Sequence, residues 1–128
     1  MHQSCVFGHL PSGQAITCHT LSAGEASLEV LDLGGIVRAL NVPDCSGRMT
    51  DVVLGFDRLE DYLGAGAYFG AMVGRIAGRL TGGKLLVESH EYALACNDGP
   101  NHLHGGAQGL HRRIWTTTPL AHLDGSAL

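Results

Sequence analysis

The sequence predicts an all-β fold, and three observations carry that expectation. Short runs rich in β-branched and apolar residues recur along the chain, separated by turn residues. Glycine is abundant, 19 of 128 residues, about twice its usual share of ~7%. Only one segment has helical character, and it is one or two turns long. The few prolines and the absence of a period exclude a collagen-like chain, so the glycines serve tight turns and close backbone approaches.

Taken in order, residues 14–21 (QAITCHTL) follow the turn Pro11-Ser12-Gly13 and read as a strand. Residues 26–33 (ASLEVLDL) alternate, which places Leu28, Val30 and Leu33 inward and Glu29 and Asp32 outward, until Gly34-Gly35 breaks the run. Residues 36–42 (IVRALNV) end at Pro43, and Asp44-Cys45-Ser46-Gly47 turns the chain into a partner strand over 50–54. Residues 57–62 (DRLEDY) are the short helical candidate. The stretch 64–83 contains seven glycines. Each would cost a helix about 1 kcal/mol relative to alanine, so this stretch is expected to be extended or irregular. Residues 84–87 and 91–94 form a hairpin around Glu88-Ser89-His90. A polar, histidine-rich loop covers 96–109, and Ile114-Trp115-Thr116 opens a last strand.

Eight Lys and Arg against twelve Asp and Glu give a formal charge of −4, without a basic run. That removes the electrostatic footprint of a nucleic-acid or anionic-membrane partner. No run approaches 18 apolar residues, and residues 1–14 lack the features of a signal peptide, so a cytoplasmic protein is expected. Cys5, Cys18, Cys45 and Cys96 show no C-x-x-C spacing and read as reduced, buried fillers. No phosphate-binding glycine loop is present, and no cofactor is expected.

Chemistry concentrates in two places. His102-Leu103-His104 is an H-x-H pair, which in extended backbone puts both rings on one face. A metal site needs a third ligand, and Gly105, Gly106, Ala107 and Gln108 supply none. The other readings are a loop-capping histidine beside an exposed one, or a neutral imidazole that hydrogen-bonds a polar ligand such as a sugar. Arg75 and Arg79 lie four apart in an apolar segment, where they must be paired, face a cleft, or extend their stems to the surface.

An ordered set of motifs narrows this. Pro43-Asp44 with Gly47, D-V-V-L-G-F-D at 51–57, Tyr62, Y-F-G-A at 68–71, G-R-I-A-G-R at 74–79, N-D-G-P-N at 97–101, L-H-G-G at 103–106 and Trp115 together resemble the aldose 1-epimerase (galactose mutarotase) family. The match runs from about Val6 to Trp115. The resemblance implies an antiparallel β-sandwich, of which these residues form an N-terminal portion, so residues 1–128 are expected to be a single, incomplete domain. It also implies an isomerase that interconverts the anomers of an aldohexose such as galactose or glucose, without a metal or other cofactor. By the same resemblance, Arg79 and His104 contact sugar hydroxyls. Gly78 stands where the family usually has an asparagine that also touches substrate.

The family's acid histidine and base glutamate have no match here and are expected beyond Leu128, so no catalytic residue is assigned. Glu88 and Glu91 have no spacing that aims them at a shared substrate. The alternatives are a non-catalytic carbohydrate-binding or interaction module, or an inert fragment. Exposed sheet edges would favour self-association.

Overall fold

The structure, a computed structural model, describes residues 2–64, 68–122 and 125–127. Its centre is a five-stranded antiparallel meander: β1 (His2–His9), β2 (Ala15–Ala23), β3 (Ala26–Leu31), β4 (Val37–Pro43) and β5 (Met49–Asp51), each paired with the next. One short helix, α1 (Leu59–Leu63), follows. Three two-stranded ribbons complete the chain: β6 (Arg79–Leu80) with β9 (His102–Leu103), β7 (Lys84–Val87) with β8 (His90–Ala93), and β10 (Leu120–His122) with β11 (Gly125–Ala127). The architecture is all-β, as the sequence predicts. No helix among the described residues is long and apolar enough to cross a membrane.

The core lies on one face of the meander. Ile16, Cys18, Leu31, Leu33 and Ile36 pack there against Leu59 and Tyr62 of the helix, with Phe7, Leu10 and Phe56 at the margin. Tyr62 joins apolar area to a directed bond: its hydroxyl accepts the Phe56 N–H at 2.7 Å, and its ring meets Phe56 edge-on with centroids 5.0 Å apart. The approach of α1 requires a small residue on β1, because a Cβ on Gly8 would come within 2.9 Å of Leu59 Cβ.

The faces of β3 are opposite to the alternation expected from its sequence. Leu31 has no exposed surface, whereas Leu28 and Val30 are half-buried on the other face. Glu29 therefore shares the core-facing side with Leu31. Arg38 of β4 makes that tolerable, because its Nε lies 2.6 Å from Glu29 Oε2 and a terminal nitrogen reaches Asp57 at 3.2 Å. A buried carboxylate is also found at Asp32, whose Oδ1 accepts the Thr17 N–H at 3.0 Å.

Other expectations need correction. β1 was not foreseen, because an exposed edge strand paired through its backbone carries no alternation in HQSCVFGH. β5 is shorter than residues 50–54, since the Asp51 carboxylate takes the N–H groups of Leu40 and Val53 and redirects the chain. The β7–β8 turn is Glu88-Ser89, one residue shorter than the expected Glu88-Ser89-His90, because Val87 pairs with His90. Residues 114–116 form no strand, and only Ile114 bridges to Leu33. There Gly34, with φ +65°, turns away while its N–H donates to the Arg113 carbonyl at 2.7 Å. Of the four cysteines only Cys18 is buried; Cys5, Cys45 and Cys96 are exposed.

The inverted faces of β3 make a direct prediction. Leu31→Ala removes a fully enclosed side chain and should cost roughly 2–5 kcal/mol in urea denaturation. Leu28→Ala should cost clearly less, and equal losses would mean that the core lies on both faces.

Candidate functional site

The site is assembled from two glycine-rich segments that meet at β6 and β9. Arg79 pairs with Leu103 and Leu80 with His102. Asn97 fixes this ladder from the side: its Nδ2 donates to the Leu103 carbonyl at 3.0 Å and its Oδ1 accepts the Leu103 N–H at 2.7 Å. The next residue, Asp98, holds Arg79, with Nε to Oδ2 at 2.6 Å. Arg79 is exposed, and its terminal amino groups make no hydrogen bond to other described residues.

His104 follows directly, at φ +52°. A left-handed residue ends the extended alternation, so the H-x-H pair does not act as a unit. The backbone N–H of His104 donates to the Gly78 carbonyl at 3.0 Å, and the Gly78 N–H donates back to His104 Nδ1 at 3.0 Å. Nδ1 is thereby an acceptor, and in the neutral ring the proton sits on Nε2. His104 thus offers an N–H donor on the residue that follows Leu103, the ladder partner of Arg79. Tyr68 borders the ring edge-on, with centroids 5.0 Å apart.

His102 is used differently. Its Nδ1 lies 2.8 Å from the Ala95 carbonyl, and as a carbonyl only accepts, that nitrogen carries the proton. Among the described residues no three His, Cys, Asp or Glu side chains converge in a way that could hold a metal ion.

The two arginines of G-R-I-A-G-R also part company. Arg75 lines a cleft of about 570 Å³ together with His102, Gln108, Arg113 and Trp115, whereas Arg79 and His104 lie outside its walls. Arg79 is exposed and His104 half-buried. Glu88 sits in the hairpin turn with φ +55°, and Glu91 is tied to Lys84 at 3.1 Å. Neither is directed at Arg79 or His104 by any contact among the described residues.

Sequence reasoning missed Asp98, Tyr68, His111 and the backbone role of Gly78. Asp98 stands in the N-D-G-P-N motif, but no spacing rule connects it to an arginine 19 residues earlier. His111 is buried beside Tyr68, at 4.7 Å between centroids, and its Nδ1 has no hydrogen-bond partner among the described residues. Burial, then the charges of Arg112 and His104, holds its pKa below the ordinary value.

The site is thus an all-β scaffold that carries an exposed arginine and a half-buried imidazole on two hydrogen-bonded, glycine-rich segments. A model of the aldose 1-epimerase family matches residues 17–126, and the chain belongs to that family. It is 43% identical to the galactose mutarotase of Bos taurus over 118 residues, covering 91% of this chain and 34% of that protein. It is 30% identical to the aldose 1-epimerase of Escherichia coli (strain K12) over 107 residues, covering 82% of this chain and 31% of that protein. Among solved structures it is similar to a galactose 1-epimerase from Lactobacillus acidophilus NCFM, with TM-score 0.76 and 25% identity, covering 96% of this chain and 35% of that one. The chain therefore spans about a third of the length of the curated relatives it matches.

Two outcomes follow. Gly105 has φ +85° and packs against the Gly74 carbonyl, so Gly105→Ala should lose more than the ~1–3 kcal/mol of backbone strain alone. Gly13→Ala is the control in urea denaturation, since Gly13 has φ +86° but nothing within 4 Å of a built Cβ. The second concerns pH. His19 and His111 both have pKa values lowered from 6.5, chiefly by burial, so the unfolded chain binds more protons there than the folded one. Stability should fall as pH drops from about 7.5 to about 5.5, and His111→Phe should flatten that slope.

Proposed function

We propose that residues 1–128 form the sugar-binding part of an aldose 1-epimerase, acting on an aldohexose such as galactose or glucose. The observation that carries this reading is the reciprocal pairing of Gly78 and His104, which leaves Nε2–H of His104 as a donor on the residue after Leu103, the ladder partner of Arg79. Anomer exchange requires a base to take the proton of the anomeric hydroxyl and an acid to protonate the ring oxygen, so that the ring opens and closes on either face. In this reading Arg79 and His104 bind and orient the sugar by donating to its oxygens. The acid and the base come from polypeptide outside residues 1–128, in a cytoplasmic protein that needs no metal or other cofactor. Asp98 neutralises one edge of Arg79, which suits an uncharged ligand better than an anion.

Gly78 supports a modest affinity for this site. It has φ +80° and nothing within 4 Å of a built Cβ, so an asparagine, which tolerates this backbone region better than most residues, has room there. The edge strands β1 and β5 are the expected route of any self-association.

The test combines calorimetric titration with galactose and glucose and polarimetry of freshly dissolved α-anomers. Arg79→Ala and His104→Ala should each weaken binding by about 1–3 kcal/mol, and Gly78→Asn should strengthen it. Unchanged affinity in both alanine variants would refute the assigned roles. Binding without accelerated mutarotation would identify a carbohydrate-binding module; acceleration by these residues alone would mean that they hold an acid and a base of their own.

A further inference from the structure

The register of the sheet brings together two cysteines that sequence spacing leaves unrelated. Cys5 of β1 and Cys18 of β2 are direct partners across an antiparallel pair. Directly opposed residues in such a pair have Cα atoms about 4.5–5.5 Å apart and point to the same face. That separation falls inside the range of about 4.4–6.8 Å that a disulfide spans. We propose that Cys5 and Cys18 are a thiol-modification site that closes to a cross-strand disulfide when the chain meets a low-molecular-weight disulfide such as oxidised glutathione.

The surroundings assign an order to the two sulfurs. Cys5 is exposed on the edge strand and reachable by a small oxidant, whereas Cys18 is buried and its thiol donates to Glu29 Oε2 at 3.7 Å. Burial, then the Glu29 charge, pushes the Cys18 thiol up to about 11, so it is a poor first nucleophile. The Cys5 thiolate attacks oxidised glutathione, forming a mixed disulfide and releasing one glutathione thiolate. Cys18 then gives its proton to Glu29 or solvent and attacks Cys5 Sγ, expelling the second glutathione thiolate. The two cysteine sulfurs together lose two electrons, and the glutathione disulfide gains them. Cys45 and Cys96 lie on other segments, and the Cys96 thiol donates to the Pro100 carbonyl at 3.1 Å.

The test uses the full chain carrying Cys45→Ser and Cys96→Ser, with the unsubstituted chain alongside. Both are treated with oxidised glutathione, unfolded, alkylated and mapped by mass spectrometry. The expected result is a cross-linked pair of peptides containing Cys5 and Cys18, two hydrogen atoms lighter than the sum and free of glutathione. Dithiothreitol should return both thiols, and the oxidised form should melt higher than the reduced one. Adding Cys18→Ser should leave glutathione trapped on Cys5. Glutathione retained on Cys5 while Cys18 alkylates freely, a Cys5–Cys5 dimer, or no reaction at Cys5 would each overturn the proposal.

Discussion

Backbone packed directly on backbone, at points where no side chain fits, is the constraint on which this structure depends. Gly34 lies against the carbonyl of His111, Gly70 against that of Val37, and Gly105 against that of Gly74. All three have positive φ. Through them, the irregular segments on either side of β6 and β9 are drawn onto one another and onto the end of the meander. Hydrogen bonds follow from this closeness, including Gly34 to Arg113, Val37 to Gly70 and Leu110 to Gly74. The high glycine content is thus the means by which a chain with few long strands holds a defined site.

The site inherits its chemistry from that packing. His104 bends into the left-handed region and so places its ring nitrogen under the Gly78 N–H. A backbone donor cannot change its protonation, so it selects one tautomer of the imidazole more firmly than a titratable partner would. Arg79, one residue on from Gly78, is oriented by Asp98 and by the strand register rather than by burial. Donor identity is set by main-chain geometry, and the side chains project from it.

Much of this was legible in the sequence. The turn residues around 11–13 and 44–47 marked the strand ends because Pro, Asp and Gly have local conformational preferences that act without tertiary help. Arg79 and His104 emerged because an ordered motif set singled them out; in the structure Arg79 pairs with Leu103 and His104 with Gly78. What was hidden was set at a distance. The face of β3 depends on Arg38 compensating Glu29 nine residues earlier, and no local alternation reveals that ion pair. β1 is held by its partner's backbone, which leaves no trace in side-chain pattern. Arg75 lines the cleft and Arg79 does not, because residues 74–78 between them form neither helix nor strand and follow no regular side-chain period.

The β7–β8 hairpin has a further meaning. Nearly every residue in it is exposed, including Leu86, Val87 and Tyr92, and at its base the Leu94 N–H donates to the Gly83 carbonyl at 2.7 Å. With so little apolar contact to lose, its ladder can open while the meander stays closed. Its amide protons should exchange with solvent through local fraying, while those of β2 and β3 wait for the whole sheet to unfold. The same independence makes the hairpin the part of the molecule most able to vary in length and composition without disturbing the Gly78–His104 pairing.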